Sequence, residues 1–379
     1  MSTDVATQGN VCCANPVQQR RTFLKMGLGA AAVVLLPGGA SLPAAQHSGQ
    51  PIDEDDPSNI KIAHRLRASS ITDDDLLFLQ QIGLRWARLE FGNDPVTLAS
   101  LRATQKRYAR FGMRIFSGVH SAYRSLKIQL GQPGRDEDIE TYRNFIRNLG
   151  KLEIPVASYD FHPANTYTTN TVQHRGYSTR EFSTEDFRNK VEKQKFEREY
   201  PVEEIWANYT YFMKAVLPVA EEASVKLALH PDDPPLAMMN GVGKMFTHYD
   251  GYQRAEQIAG SSKAWGLTFC VGTWSEGGQN MGKDVFEMIR DFGGRGKIFE
   301  VHFRNVTSPL PHFVETFPDD GYMDLYQVMK ALRQVGFSGG IEPDHVPQLA
   351  GDSGMRRAGT AYCIAYMRAL LRRANEEVG

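Results

Sequence analysis

Four residues with metal-binding side chains, His230, Cys270, His302 and Asp344, stand where apolar, strand-like runs give out. The runs are "KLALH" from 226, "GLTFCVGT" from 266, "KIFEVHF" from 297 and "GGIEPDH" from 339. The intervals are 40, 32 and 42 residues, about one strand-plus-helix unit each. A thiolate, two imidazoles and a carboxylate offer a divalent cation two anionic and two neutral donors, leaving positions for substrate oxygens or water. Taken singly, each has a plainer use. A strand-end histidine is usually a hydrogen-bonded structural residue, a lone cysteine a small hydrophobe, and an aspartate a turn cap. Their common phase with one repeat is what joins them.

Further polar residues crowd the same strand ends. Asp232 and Asp233 in "HPDDPP" are read as acceptors that hold the His230 tautomer, as contacts to substrate hydroxyls, or as an Asp-Pro turn. Arg304, two residues past His302, projects to the same side of its strand and suits a carboxylate or an enolate oxygen. His345 is a candidate proton carrier. His64, Glu90, His120, Asp160 and His162 end the remaining strands, with His120 and Asp160 taken as substrate contacts.

Eight β-rich runs carry these residues: the four above, preceded by "KIAHRL" at 61, "RWARLEF" at 85, "RIFSGVH" at 114 and "VASYDF" at 156. Between them lie stretches with apolar residues at three- and four-residue spacing, such as "DEDIETYRNFIRNLGKL" and "MDLYQVMKALRQVG", and "MRRAGTAYCIAYMRALLRRANEE" closes the chain. The alternation predicts a single-domain α/β (β/α)8 TIM barrel over 61–379. An open doubly wound sheet is the runner-up, but no glycine-rich phosphate loop follows the first strand. A polar, charged interruption near 162–200 is expected over the barrel mouth as a substrate lid.

The N-terminus reads differently. "QRRTFLK" precedes an apolar run of eleven residues, 26–36, and the small residues of "SLPAAQ". This predicts a twin-arginine export signal over 1–45 with cleavage near Ala45, then a linker over 46–60. Eleven residues are too few to span a bilayer core of about 30 Å, so no stable membrane anchoring is expected. A periplasmic or secreted location follows, with metal loaded before export. Cys12 and Cys13 would leave with the signal, and Cys363 in an apolar helical run reads as a core filler. With 43 basic and 44 acidic residues the formal net charge is -1, which gives nucleic acid nothing to bind.

At these residues the chain resembles the mannonate dehydratase family, metal-dependent members of the xylose isomerase-like barrels. The likeness covers most of 60–370, and "LKIQLGQPGRDEDIETYRNFIRNLGK", "LALHPDDPP", "GLTFCVGT", "VHFRN", "DDGYMDLYQVMKAL" and "EPDH" carry it. The resemblance implies that His230, Cys270, His302 and Asp344 bind Mn2+, although hardness arguments would favour zinc for a set with cysteine. It implies elimination of water from a sugar acid, D-mannonate giving 2-keto-3-deoxy-D-gluconate. His345 would carry a proton, and Arg304 and the metal would stabilise enolate charge. Homo-oligomerisation is compatible with this reading.

Three departures from the family pattern fall on proton transfer and substrate contact. Asp-His-Gly-His becomes "DHVP", placing Pro347 at a second histidine. Gly-Tyr-Ser becomes Gly354-Met355-Arg356, and a Trp-x-Arg-Thr segment becomes "TYTTN". They give weight to an alternative, a metal-dependent sugar isomerase or epimerase of the same superfamily. A sugar-binding protein with a silent site is the third reading, disfavoured by the intact four-ligand set.

Overall fold

All eight sequence-predicted strands form: Lys61–Arg67, Trp86–Phe91, Arg114–His120, Val156–Tyr159, Lys226–Leu229, Trp265–Cys270, Ile298–His302 and Gly340–Glu342. The computed structural model describes residues 52–92, 96–352 and 354–378. The expected export signal, with Cys12 and Cys13, lies outside the described residues. The strands pair in parallel and close a barrel, the eighth joining the first through Lys61 and Gly340 and the seventh through Val301 and Ile341. Helices cover a parallel barrel from outside and side chains fill it from inside, so its strands are apolar nearly throughout. Trp265–Cys270 is buried at all six positions.

The helices follow their periodicity. Arg135–Lys151 buries Ile139, Tyr142, Phe145, Ile146 and Leu149, while Asp136, Glu137 and Asp138 complement the dipole of its first turn. Leu325–Gln334 starts at Asp324, whose side chain accepts from the Gln327 amide. The last helix, Arg357–Val378, buries Cys363 as a free thiol among apolar neighbours. Among the described residues no helix is long and apolar enough to cross a membrane.

Two segments differ from their polar appearance. Residues 52–60, expected as linker, pack on the barrel: Ile52 lies against the core, Asn59 is buried, and buried Glu54 accepts from Arg368 Nη2 at 3.0 Å. The 162–200 segment contains a hairpin, Asn170–His174 with Tyr177–Ser183. This hairpin joins His312–Thr316 and Asn305–Val306 from the loop after the seventh strand in a four-stranded antiparallel sheet. Phe182, Phe187, Met239, Val306 and Phe313 form a small core of their own there.

Candidate metal centre

The barrel interior is layered by the two-residue period of its strands. Phe116, Val156, Ala228 and Phe299 form an apolar plug. Above it lies a polar layer, in which Arg88 Nε is 2.9 Å from Glu300 Oε1 and Ser158 donates to the same oxygen at 2.8 Å. One period further along their strands, Glu300 leads to His302 and Glu342 to Asp344.

That upper layer gathers the four predicted ligands. His230 Nε2 lies 3.1 Å from His302 Nδ1, and with Cys270 these residues offer donor atoms within 4.8 Å of one another. Asp344 Oδ2 is 3.6 Å from the same His302 nitrogen, at the edge of that trio, and groups more closely with Asp233 and His345. Each histidine is oriented from behind. The carbonyl of Pro231 lies 2.8 Å from His230 Nδ1, and Glu342 Oε1 lies 3.1 Å from His302 Nε2. Those acceptors hold the N–H away from the cluster and turn the other nitrogen inward. Cys270 caps the short helix Val271–Gly277, accepting from the Thr273 amide at 3.4 Å and its hydroxyl at 3.2 Å.

The electrostatics fit a cation. Burial alone would push the Cys270 thiol up, but the Arg304 guanidinium and hydrogen bonds from His230 and His302 hold it well below its ordinary value. Asp344 behaves alike: burial opposes ionisation, yet His345, His302, Arg65 and Arg304 keep its carboxyl well below the usual range. Burial would push His302 down, but Asp344, Cys270, Glu300 and Glu342 together hold it well above. Anionic donors that stay ionised inside a protein and draw positive charge toward them suit a divalent ion.

Several neighbouring residues do other work than expected. Asp232 does not line the cavity; its Oδ2 accepts from the Met245 and Phe246 amides at 3.1 and 2.8 Å and pins the loop after the fifth strand. Arg304 does not line the cavity. It is fully buried, bonded to Glu276, 2.9 Å from Asp233 Oδ2, 3.3 Å from Glu315 Oε1 and 3.4 Å from Asp344 Oδ2. Its Nη2 also reaches Thr273 Oγ1 at 3.2 Å and Cys270 Sγ at 3.6 Å, so it sits as a buried counter-charge to the carboxylates and the thiol. His120 is likewise absent from the cavity wall; its Nδ1 accepts from the Ala122 amide and its ring packs near Phe145. Pro347 is buried and does not line the cavity beside the cluster.

The cavity facing the cluster has a volume of about 200 Å³. Asp233, Asp344 and His345 face it together. Asp160 lines it too, but its carboxylate is held by Tyr123 at 2.9 Å, by Arg124 at 2.8 and 2.6 Å, and by His162 at 3.0 Å. Glu315 Oε1 lies 2.8 Å from His345 Nδ1, and Arg180 Nη1 is 3.3 and 3.2 Å from the two ring nitrogens. Tyr167 reaches His162 Nε2 at 2.8 Å. Sequence reasoning missed Arg65, Arg88, Glu300 and Glu342, although two-residue alternation from a known strand end points to the last two. Arg180 and Glu315 arrive on the accessory sheet, whose pairing no local pattern announces.

The sequence model of the D-mannonate dehydratase (UxuA) family matches residues 183–378. A mannonate dehydratase of Streptococcus pneumoniae is 32% identical over 255 residues, spanning 59% of this chain and 68% of its own length. Mannonate dehydratase 2 of Halalkalibacterium halodurans is 30% identical over 254 residues, 60% of this chain and 72% of its own. Among solved structures, a mannonate dehydratase from Streptococcus suis superposes with a TM-score of 0.75 at 27% identity, covering 85% of this chain and 96% of that one. An L-ribulose 3-epimerase, at TM-score 0.56 and 14% identity over 84% and 96% of the two chains, shares the barrel fold.

Proposed function

The chain belongs to the D-mannonate dehydratase family, and on that premise we propose that its barrel mouth removes water from D-mannonate to give 2-keto-3-deoxy-D-gluconate. It is an enzyme of the hydro-lyase kind acting on a sugar acid. The observation that carries the reading is the convergence of His230, Cys270, His302 and Asp344 beside a cavity walled by arginines. These four would hold a divalent cation, Mn2+ by family likeness; when bound it supplies Lewis-acid stabilisation of charge developing on the substrate.

The chain's own groups supply the proton chemistry. With Glu315 at its Nδ1, His345 keeps a proton there and turns Nε2, which also neighbours Asp344 Oδ2 at 3.3 Å and Arg180 Nη1 at 3.2 Å, toward the cavity to take the proton from C2. The electron pair of that C–H bond forms the C2–C3 double bond while the C3 hydroxyl leaves, protonated to water. The enol then moves its proton to C3 and becomes the ketone. Met355 stands where the family pattern has a tyrosine that looks catalytic, so another cavity residue is needed to supply a proton. Tyr167 lines the cavity, and burial, with Asp160 adding to it, pushes its phenol up and keeps it protonated. We assign it the leaving hydroxyl.

Incubating metal-loaded protein with D-mannonate tests the reading: a 2-keto-3-deoxy acid should accumulate. The loss of the family tyrosine at Met355 favours the isomerase or epimerase alternative, and a C2 or C3 epimer without any keto-deoxy acid would establish it. Export by the twin-arginine route is a further proposal, supported by "QRRTFLK" and the apolar run after it. Recovery of mature protein beginning near residue 46 from outside the cytoplasm checks it; full-length protein confined inside the cell would refute it.

A further inference from the structure

The arginines around the cavity fall into two kinds. Arg88, Arg124 and Arg304 are neutralised, by Glu300 at 2.9 Å, by Asp160 at 2.6 Å and by Glu276 and its neighbours. Arg180 and Arg356 have no carboxylate oxygen within 4.0 Å among the described residues. Arg180 approaches the His345 ring, and Arg356 donates to the Val346 carbonyl. Both line a second chamber of about 550 Å³, which shares Arg65, Arg67, Glu90, Arg180, Asp344 and His345 with the metal-facing cavity and is lined also by Gly354 and Met355.

The chamber's acidic groups are engaged with other cations. Asp75 is bound by Arg357 at 2.6 Å, Glu90 sits among Arg65, Arg67 and Arg88, and Asp344 faces the metal donors. Burial first, then Arg180 and Arg65, hold the Arg356 guanidinium below its ordinary value against the opposing influence of Glu315 and Asp352. Uncompensated guanidiniums on a cavity wall are receptors for planar or tetrahedral anions. A terminal hydroxymethyl group would offer them a neutral acceptor but no charge. Met355 and Arg356 also lie within one of the stretches where the sequence departs from the family pattern.

We propose that the outer chamber is a subsite for a second anionic group, so that the preferred sugar acid carries negative charge at both ends, as a carboxylate or a phosphate. The proposal rests on the sugar-acid lyase reading and narrows its substrate class. One anionic end would face the metal donors and the other would be clasped by Arg180 and Arg356, with exposed Arg67 at the rim.

Calorimetric titration of Mn2+-loaded protein with D-mannonate, D-mannarate and D-mannonate 6-phosphate tests this without requiring turnover. At least one dianion should bind tenfold or more tightly than D-mannonate, and the two arms tell carboxylate from phosphate. Arg356→Gln and Arg180→Gln should each reduce that preference at least tenfold. Equal affinity for mono- and dianions, or a dianion preference that survives both substitutions, would overturn the subsite. If D-mannonate is dehydrated but no dianion is preferred, the subsite fails and the lyase reading stands. If a dianion binds tightly but no acid yields a keto-deoxy product, the subsite stands and the lyase reading fails.

Discussion

Glu342 Oε1 lies 3.1 Å from Nε2 of His302, on the side of the ring turned away from His230. The carboxylate thus fixes which imidazole nitrogen points at the metal donors, and Arg88 stands 3.6 Å behind it to balance its charge. Glu342→Gln should leave the fold unchanged, since Arg88 keeps Glu300, but weaken metal binding roughly 10- to 100-fold. Titrating chelator-stripped protein with Mn2+ measures this. Cys270→Ser, which alters a donor itself, should lower metal content and activity in proportion; full metal occupancy in that variant would remove Cys270 from the ligand set.

Arg304 invites a different expectation from the one its position in sequence suggests. Asp233, Glu276, Glu315 and Asp344 surround it in a fully buried cluster. Removing the guanidinium leaves buried carboxylates without their counter-charge, a loss of about 3–5 kcal/mol. Arg304→Met should therefore lower the denaturation midpoint steeply and depress turnover of every substrate alike. A variant of wild-type stability with a defect confined to acidic substrates would return Arg304 to the substrate.

The eight strands, and the polar residues that gather at their ends as candidate ligands, were legible because burial and chemistry share a register there. "KLALH" and "KIFEVHF" are apolar until the residue that meets the barrel mouth, and that residue is polar. What stayed hidden depends on contacts distant in sequence. Glu315 reaches His345 because His312–Thr316 pairs with Tyr177–Ser183, across more than a hundred residues. Arg304 obeyed the two-residue alternation yet was claimed by four carboxylates. Asp232 looked like a companion of His230, but backbone amides of its own loop took it first. Residues 52–60 read as linker because their burial needs Arg368 from the far end of the chain.

Tyr167 makes the proton-transfer assignment testable. Its hydroxyl lies 2.8 Å from His162 Nε2, and the same nitrogen lies 3.0 Å from Asp160 Oδ1, so the phenol and the carboxylate share one ring nitrogen. Tyr167→Phe should lower kcat by about 10²- to 10⁴-fold, the usual worth of a general acid, with metal content unchanged. A 3-deoxy-3-fluoro analogue, whose fluoride departs without protonation, should be spared most of that loss. An equal loss on both substrates would mean that Tyr167 positions substrate without donating a proton.

Stability should respond to pH through Glu54. Burial pushes its carboxyl up from about 4.5 to about 7, with Arg368 opposing the shift. The folded state therefore holds this proton more tightly than the unfolded chain does. The sign is the reverse of an ordinary ion-paired carboxylate: the favourable contribution is complete below about pH 4.5 and is lost as pH rises through about 7. A shift of that size corresponds to roughly 3 kcal/mol as an upper figure, at 1.36 kcal/mol per pH unit. Glu54→Gln keeps an acceptor for the 3.0 Å bond from Arg368 but has no proton to lose. In denaturant melts at pH 5 and pH 8.5, the wild type should lose more stability across the interval than the variant. Parallel losses would mean that Arg368 keeps Glu54 ionised throughout, and that burial does not govern this carboxyl.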